Sequence, residues 1–443
     1  MKRTMMSELL KWKEEVNRKP LILKGVRQVG KTHLLKEFGR LHFPEVHYFN
    51  FERQPGLAKI FEADLVPKRI IEELSFTLGR SINISKDLII FDEIQEFPKA
   101  LTSLKYFAEE CPELYLCVAG SLLGLHLNSG SFPVGKVTFQ TLRPMSFEEF
   151  LMANEDARSL EILRKNLIEK QIPQIVHEHL WEQLKRYFVV GGLPEAVATY
   201  CKNKDNLFDA FSLVRKKQDD LLNTYYADIS KHSGKINAMH IDRVFRSIPA
   251  QISQVQDGAT ARFKFRGVIP GITHYDRMAN AIDWLENAGL AVKVHVVNTG
   301  LLPFKAYSKD NFFKLLLFDV GMLGCMCDLS PKVILDYEYG SYKGYFAENF
   351  VAQELLGSGI DHLCSWQENK SELEFLVEID GNAIPIEVKS GSVTRAKSLS
   401  VFTEKYKPPF QVIFSARPFE IDQRRGIHYY PLYLSGRYLN IEI

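Results

Sequence analysis

The sequence is poor in cysteine and lacks any long uncharged apolar run. Its six cysteines among 443 residues are too sparse for a disulfide framework, and the one C-x-C, Cys325 and Cys327, has no second ligand pair for a zinc site. No apolar run approaches the length of a bilayer-spanning helix, and the N-terminal stretch has no continuous apolar core like that of a secretion signal. We therefore expect a soluble, cytoplasmic protein with free thiols and no membrane partner.

The sequence also lacks an excess of charge of either sign. Lysine and arginine total 56 against 54 aspartates and glutamates, which leaves a formal net charge of +2. This balance argues against a protein whose whole surface binds nucleic acid, although a local basic groove remains open. The hydrophobic content of 46% permits a large core, and the length exceeds what one core usually supports. We expect about two to four domains.

The most specific motif lies in residues 19–39. Gly25, Gly30, Lys31 and Thr32 complete the pattern G-x-x-x-x-G-K-[ST], after an apolar run typical of a buried strand and before a helical pattern. Glycines let backbone N–H groups turn toward a phosphate, and the helix N-terminus adds partial positive charge. Lys31 is expected to reach the β and γ phosphates of ATP, and Thr32 to bind Mg²⁺. The predicted nucleotide-binding residues are Gly25, Val26, Arg27, Gln28, Val29, Gly30, Lys31, Thr32 and His33.

Two acids, Asp92 and Glu93, end the apolar run at 88–91. A buried parallel strand opens at its carboxyl end onto the ligand crevice, so Asp92 is predicted to hold Mg²⁺ through water or Thr32. Glu93 is predicted to orient or deprotonate the attacking water. A further buried strand at 114–120 leads to Ser121, which could bond the γ-phosphate or the water, or could be an ordinary strand-ending serine. Lys31, Glu93 and Ser121 are the predicted catalytic residues.

The alternation of strands and helices over residues 21–121 predicts a parallel sheet covered on both faces. The segments GVRQVGKT, LIIFDEIQ, VAGS, PVGKV (133–137), LRPMSFEEF (142–150) and YFVVGGLP (187–194) resemble the AAA+ related P-loop ATPases of bacteria and archaea that carry an uncharacterised C-terminal domain. The resemblance extends through the rest of the chain and implies that residues 187–194 lie in a helical lid after the ATPase core. The expected class is therefore α/β.

The resemblance has one departure that affects the site. The family usually has Gly-Arg where this chain has Gly135 and Lys136. If that arginine acts on the phosphate of a neighbouring subunit, Lys136 is a poorer substitute because it lacks the planar bidentate fork. Arg143 is the other candidate for an arginine finger.

We expect four parts in this chain. A P-loop ATPase core occupies residues 1–150, a helical lid and connector 151–235, a winged-helix-like domain 236–335 and a C-terminal α/β restriction-endonuclease-like domain 336–443. The third part is predicted from a helix at 239–247 that Pro249 should end, a helix at 272–285, and two strands at 291–297 and 312–318.

Base readout of DNA by the third part is disfavoured. The helix at 272–285 has one basic residue, Arg277, whereas Asp276, Asp283 and the nearby Glu286 are acidic. Such a helix would repel the phosphates of DNA. The more basic stretch RFKFR at 262–266 could contact a nucleic-acid backbone or stack a base. We prefer an edge strand with one solvated face.

The C-terminal part holds a second candidate site. Glu348 lies on a helical pattern, Glu372 and Glu374 share one strand face, and Glu387 shares a face with Lys389 on the next strand. If the faces coincide, carboxylates and a lysine converge as metal-assisted phosphodiester hydrolysis requires. The pattern resembles the PD-(D/E)xK nuclease fold, with Glu348 as its helical acid. The family usually has Asp where Glu374 stands. The alternative to an active nuclease is a nuclease-like fold kept for scaffolding or DNA contact.

The sequence thus predicts an Mg²⁺-dependent ATP-binding and ATP-hydrolysing protein of AAA+ type. We expect its activity to be coupled to nucleic-acid binding or cleavage by the C-terminal domain, with Glu348, Glu374, Glu387 and Lys389 as the nuclease site. The alternative is a nucleotide-gated protein-interaction switch without nuclease activity. The expected partners are ATP, DNA, and a second copy of the chain or another protein.

Overall fold

A computed structural model describes residues 1–120, 135–164, 172–232, 235–253, 262–393 and 396–437. Ser121, one of the predicted catalytic residues, lies outside the described residues. The chain divides into two compact units. We call residues 2–143 with 287–289 the N-terminal unit, and residues 144–286 with 290–443 and Met1 the C-terminal unit. The helices expected to form a lid at 151–235 belong to the C-terminal unit.

The N-terminal unit is built around one parallel sheet. Its helices and strands are α1 (Met5–Glu14), β1 (Leu21–Lys24), α2 (Lys31–His42), β2 (Val46–Asn50), α3 (Ala58–Ala63), α4 (Pro67–Leu78), β3 (Leu88–Asp92), α5 (Pro98–Glu110), β4 (Tyr115–Ala119) and β5 (Thr138–Thr141). The described strands pair in the order β2-β3-β4-β1-β5, all parallel. The α/β class and the parallel sheet predicted from the alternating pattern are confirmed.

Both faces of this sheet are covered, which explains the unbroken apolar strands. Ile89 and Phe91 point into a core shared with α3, α4 and α5. The other face packs against α2, where Gly39 lets the helix approach so closely that an added Cβ would lie 2.5 Å from a methyl of Val46 and 3.1 Å from one of Leu88. A strand buried on both faces needs apolar residues at successive positions rather than alternate ones.

The elements after residue 143 form helices and a second, mixed sheet. They are α6 (Phe147–Ala153), α7 (Ala157–Arg164), α8 (Gln174–Val190), α9 (Pro194–Asn203), α10 (Leu207–His232), α11 (Lys235–Ser253), α12 (Ala279–Asn287), β6 (Ala291–Val297), β7 (Phe313–Leu317), α13 (Val320–Met326), α14 (Pro331–Leu335), α15 (Tyr342–Gly357), β8 (Cys364–Glu368), β9 (Ser371–Ile379), β10 (Asn382–Val388), α16 (Lys397–Tyr406), β11 (Gln411–Ser415), β12 (Glu420–Asp422) and β13 (Ile427–Pro431). In the described part of the chain the strand order is β12-β13-β11-β10-β9-β8-β6-β7.

The hairpin expected to complete a winged helix joins this second sheet. β6 pairs antiparallel with β7 and parallel with β8, with His295 opposite Cys364. The expected boundary at residue 335 therefore runs through a continuous sheet, and the described strands do not form a separate winged-helix domain. Pairing with β8 gives the backbone of β6 hydrogen-bond partners on both sides, which an isolated two-stranded hairpin would leave to water.

The prediction that Pro249 ends a helix is wrong. α11 continues through Pro249 to Ser253. Val244, Phe245 and Ile248 are buried on its inner face. The free energy gained by burying these side chains outweighs the loss of the one backbone hydrogen bond that proline removes. Tertiary packing therefore keeps the chain helical beyond Pro249.

The turn after α8 contains the glycines of the motif YFVVGGLP. Gly191 has a φ of +70°, and an added Cβ there would lie 2.2 Å from Asp319 Oδ1. The N–H of Gly192 donates to Asp319 Oδ2 at 2.6 Å, and Asp319 Oδ1 accepts from the N–H of Met322 at the start of α13. Both glycines are therefore needed for close contact, since a Cβ on Gly192 would lie 2.2 Å from the carbonyl oxygen of Met145.

Residues 262–266 form one backbone hydrogen bond and several ring contacts with the sheet edge rather than a strand. The N–H of Phe263 donates to the carbonyl of Phe313 on β7, and the two rings stack. Arg262, Lys264 and Arg266 are exposed.

Among the described residues, no helix combines the length and apolarity required to cross a membrane.

Candidate functional site

The phosphate loop connects β1 to α2 in a conformation that requires glycine. Gly25 has a φ of +156° and Gly30 a φ of +97°, both in the region that side chains rarely adopt. An added Cβ on Gly25 would lie 2.3 Å from the carbonyl oxygen of Leu142. Because α2 begins at Lys31, its unpaired N–H groups face the loop and make it suited to an anion.

Lys31 lies inside this loop. Its ammonium donates to the carbonyls of Gly25 at 2.9 Å and Val26 at 3.1 Å. Burial lowers the pKa of Lys31 to about 8, against the opposing effect of Glu93 and Asp92. The side chain is therefore a desolvated cation, which attracts a phosphate more strongly than a cation in water would.

Thr32 and Asp92 meet at the carboxyl end of the sheet. Thr32 Oγ1 donates to Asp92 Oδ2 at 2.9 Å, and Asp92 is only 3% exposed. The same carboxylate oxygen accepts the hydroxyl of Tyr48 at 2.6 Å and the amide of Asn50 at 3.4 Å. Hydroxyl and carboxylate oxygens are the ligands that Mg²⁺ prefers, so Thr32 and Asp92 fit the expected magnesium site.

Tyr48 and Asn50 were missed by sequence reasoning. They lie on β2, which pairs with β3 so that Asn50 stands opposite Asp92. Burial, together with the bond to Asp92, raises the pKa of Tyr48 to about 12, which keeps the hydroxyl a donor. Polar residues near the end of a strand beside the acidic strand are the signal that could have identified them.

Glu93 follows β3 in a left-handed conformation, with a φ of +53°. A positive φ in a non-glycine residue is uncommon and here turns the chain sharply at the end of the strand. The half-buried carboxylate of Glu93 accepts a hydrogen bond from the side-chain amide of Gln95, another residue that the sequence did not suggest. The turn and this hydrogen bond fix the side chain of Glu93 beside Asp92.

The remaining predicted residues of this site vary in placement. Val26 and Val29 are buried, Arg27 is half-buried, and Gln28 and His33 are exposed. The guanidinium of Arg3, which was not anticipated, donates to the carbonyls of Val29 at 3.1 Å and Arg143 at 2.5 Å. It fastens the phosphate loop to the segment after β5.

The two arginine-finger candidates stay predictions. Lys136 makes a 2.9 Å ion pair with Glu109, and both side chains are exposed. Arg143 is half-buried.

The second candidate site brings four acids and two lysines into one cluster. We call it the acid cluster; its members are Glu348, Glu372, Glu374, Glu387, Lys314 and Lys389. β9 and β10 pair antiparallel, and Glu374 Oε2 accepts the N–H of Val388 at 3.0 Å. Lys389 donates to the carboxylate of Glu387, which is 4% exposed. Burial, with the neighbouring Glu387, raises the pKa of Glu374 well above its ordinary value.

Lys314 is the cluster member that the sequence did not predict. Its ammonium lies 3.0 Å from Glu348 Oε1 and 2.8 Å from Glu372 Oε1. Burial alone would lower the pKa of Lys314, but these carboxylates hold it above its ordinary value. No group of three or more His, Cys, Asp or Glu side chains among the described residues is arranged to hold a metal ion. The assignment of Glu348, Glu374, Glu387 and Lys389 as a nuclease site stays a prediction.

Comparison with known families assigns three regions of the chain. Residues 17–151 match the family model described as an AAA domain. Residues 181–333 match a domain of unknown function (DUF8612), and residues 343–434 match another (DUF4143). No curated protein matches the chain.

Several solved structures are similar to parts of this chain at low sequence identity. A Walker-type ATPase of Pyrococcus abyssi is 15% identical over 74% of this chain and 95% of its own, with a TM-score of 0.47. The ORC1 protein of Aeropyrum pernix, solved in complex with DNA, is 13% identical over 74% and 93%, with a TM-score of 0.29. AMPPCP-bound DnaA of Aquifex aeolicus is 15% identical over 63% and 86%, with a TM-score of 0.30.

The glycine-lysine loop, the parallel strand order and the family match agree with one another. Residues 17–151 are therefore similar to the AAA domain family, and the described part of this range has the phosphate loop and parallel sheet of a P-loop fold.

Proposed function

We propose that the protein binds ATP with Mg²⁺ and hydrolyses it in the N-terminal unit. The observation that carries this proposal is the 2.9 Å hydrogen bond from Thr32 Oγ1 to Asp92 Oδ2. It joins the end of the phosphate loop to the carboxyl end of β3, the edge at which parallel α/β sheets bind nucleotides.

Each proposed residue has a separate role. Lys31, enclosed by the loop of residues 25–33, contacts the β and γ phosphates and offsets their charge. Thr32 and Asp92 would hold Mg²⁺, which when bound would supply positive charge to the phosphate oxygens. Glu93 orients the attacking water or accepts its proton, and Ser121 bonds the γ-phosphate or that water.

Replacing Glu93 with Gln tests the hydrolytic role. We expect E93Q to bind ATP like the parent and to hydrolyse it more than about a hundredfold more slowly, the loss typical of removing a general base. E96Q is the matched control, because Glu96 is exposed three positions later on the same turn. Turnover by E93Q at the parental rate would remove Glu93 from this role, and loss of nucleotide binding in K31A would test the loop independently.

A second copy of the chain is a proposed partner in hydrolysis. Lys136 or Arg143 would then supply a positive charge to the phosphate bound by a neighbour. In that case, the specific ATPase activity of the parent rises with protein concentration, and K136A or R143A abolishes the rise without weakening ATP binding. A specific activity independent of concentration would argue for a monomer that needs neither residue.

A second candidate function is the coupling of ATP hydrolysis to nucleic-acid binding or cleavage by the C-terminal unit. The meeting of Glu374, Glu387 and Lys389 favours it, because carboxylates beside a lysine suit phosphodiester chemistry. Among the described residues no group of three or more acid, His or Cys side chains is arranged to hold a metal ion, so this candidate rests on the carboxylates and the lysine alone. The ion pairs of Lys314 favour the other candidate, a nucleotide-gated protein-interaction switch without nuclease activity.

Two assays separate these candidates. Labelled DNA is incubated with the protein and Mg²⁺ or Mn²⁺, and ATPase activity is measured with and without DNA. Cleavage that E387Q abolishes, a shift of the DNA, or stimulation of the ATPase by DNA supports the nucleic-acid function. Intact and unshifted DNA, together with stimulation of the ATPase by a protein alone, supports the switch.

A further inference from the structure

We infer that Lys314 supplies the positive charge of the acid cluster in place of a divalent cation, so that the cluster binds no metal ion while Lys314 is present. This inference concerns the C-terminal unit and does not depend on ATP hydrolysis. It gives the cluster a structural role in holding the second sheet to α15.

The contacts of Lys314 join three separate elements. Lys314 lies on β7, Glu348 on α15 and Glu372 on β9. Two strands, β6 and β8, separate β7 from β9 in the sheet order, so the side chains of Lys314 and Glu372 reach toward each other over one face. The lysine side chain is 7% exposed, against 14% for Glu348 and 26% for Glu372. Lys314 is thus the most enclosed member of this triple contact.

Each carboxylate of the acid cluster has at least one oxygen with a partner within the chain, although Glu387 Oε2 is buried and makes no hydrogen bond. A cation that reached this oxygen would need further ligands from the paired ones. Glu348 and Glu372 pair with Lys314, and Glu387 pairs with Lys389. Glu374 accepts the backbone N–H of Val388. A divalent cation such as Mg²⁺ or Mn²⁺ would have to take several oxygens from these partners at once.

Displacing Lys314 is costly. An entering cation would leave the ammonium enclosed and without its carboxylates, and an unpaired buried charge is strongly unfavourable. A lysine nitrogen carries one charge on a compact group and cannot lower the pKa of a bound water as a metal ion does. The cluster therefore stabilises the packing of β7, α15 and β9 and offers no hydrolytic centre.

Manganese binding without nucleotide tests the inference on the full-length chain. Bound Mn²⁺ is counted by electron paramagnetic resonance for the parent, E387Q, K314M and K314M/E387Q. We expect the parent and E387Q to bind the same number of ions. We expect K314M to gain one site, because removing a unit charge at contact distance changes the local interaction energy by more than the amount that corresponds to a tenfold change in affinity. The gained site should disappear in K314M/E387Q.

A buried lysine on the neighbouring strand provides the matched control. Lys293 on β6 is also 7% exposed in its side chain and pairs with Asp283 at 3.8 Å, outside the acid cluster. K293M should gain no Mn²⁺ site. The inference is overturned if E387Q loses a site that the parent has, or if K314M, shown to be folded by circular dichroism, gains none. If K314M does not fold, the comparison of the parent with E387Q decides alone.

Discussion

Asp319 Oδ2 accepts a 2.6 Å hydrogen bond from the N–H of Gly192, 127 positions earlier in the chain. The other carboxylate oxygen accepts the N–H of Met322, so one buried side chain fastens the turn after α8 to the start of α13. Burial raises the pKa of Asp319 to about 6 in spite of these bonds. The double glycine of this turn is needed because the turn approaches both Asp319 and Met145 closely.

Replacing Asp319 with Ala is expected to destabilise the C-terminal unit by about 2–4 kcal/mol. The variant leaves two buried backbone donors, on Gly192 and Met322, without acceptors. Chemical denaturation measures the free energy of unfolding. D310A, at an exposed aspartate before β7, serves as the control and should change stability by less than about 0.5 kcal/mol. Equal stabilities for the two variants would contradict the role of Asp319.

Replacing Gly25 with Ala is expected to weaken nucleotide binding and to destabilise the N-terminal unit by about 1–3 kcal/mol. The new Cβ would meet the carbonyl oxygen of Leu142 at 2.3 Å, and the φ of +156° is itself unfavourable for alanine. A fluorescent ATP analogue and thermal unfolding report the two effects. G56A is the control, because Gly56 has no atom within 4 Å of an added Cβ. Parental ATP affinity in G25A would show that the loop does not need this geometry.

Replacing Tyr48 with Phe is expected to raise the Mg²⁺ concentration needed for half-maximal ATPase activity by about tenfold. The hydroxyl donates to the buried carboxylate of Asp92, and a hydrogen bond to a charged group is worth about 1.5–3 kcal/mol. ATP affinity measured in EDTA should stay at the parental value, which separates positioning of Asp92 from damage to the loop. Y106F, on α5, is the control. A proportional loss of both quantities would indicate a structural role alone.

Stability of the C-terminal unit should fall as the pH rises from about 5 to about 8. Burial raises the pKa of Glu354 to about 8, and its Oε1 accepts the N–H of Phe147 at 2.9 Å. Between the unfolded and folded pKa values only the folded state holds the proton, so each step upward in pH favours unfolding. The expected change is on the order of 1–4 kcal/mol.

Unfolding of E354Q measured over the same pH range checks this prediction. Glutamine keeps an acceptor for Phe147 and cannot ionise, so its stability curve should be flatter than that of the parent. E338Q, at an exposed position, should retain the parental curve. A parental slope in E354Q would assign the pH dependence to other groups.

The parts of the ATP site that are contiguous in sequence could be predicted from it. The pattern that ends in Lys31 and Thr32 fixes a strand, a glycine loop and a helix, and Asp92 ends an apolar run that only a buried strand explains. The contacts of Tyr48 with Asp92 depend instead on which strand lies beside β3. Strand order is set by packing between distant segments, which no local pattern encodes.

The same limit applies to the second sheet. The strand at β7 was predicted, but nothing in the sequence near Lys314 indicated that its ammonium would reach Glu348 and Glu372. A lysine in a strand usually extends into water. Pro249 failed as a helix terminator for a related reason, because the buried side chains around it decide the length of α11.

The strand order of the N-terminal unit also bears on how the phosphate loop is made during translation. Leu21 of β1 pairs with Cys117 on β4 and with Thr138 on β5, so both described neighbours of β1 are synthesised long after it. Contacts so distant in sequence form slowly, because a long loop must be closed first. During most of the synthesis of this unit, β1 and the nucleotide-binding motif that follows it therefore lack the neighbouring strands β4 and β5. Affinity for ATP should first appear in nascent chains that have emerged beyond residue 141.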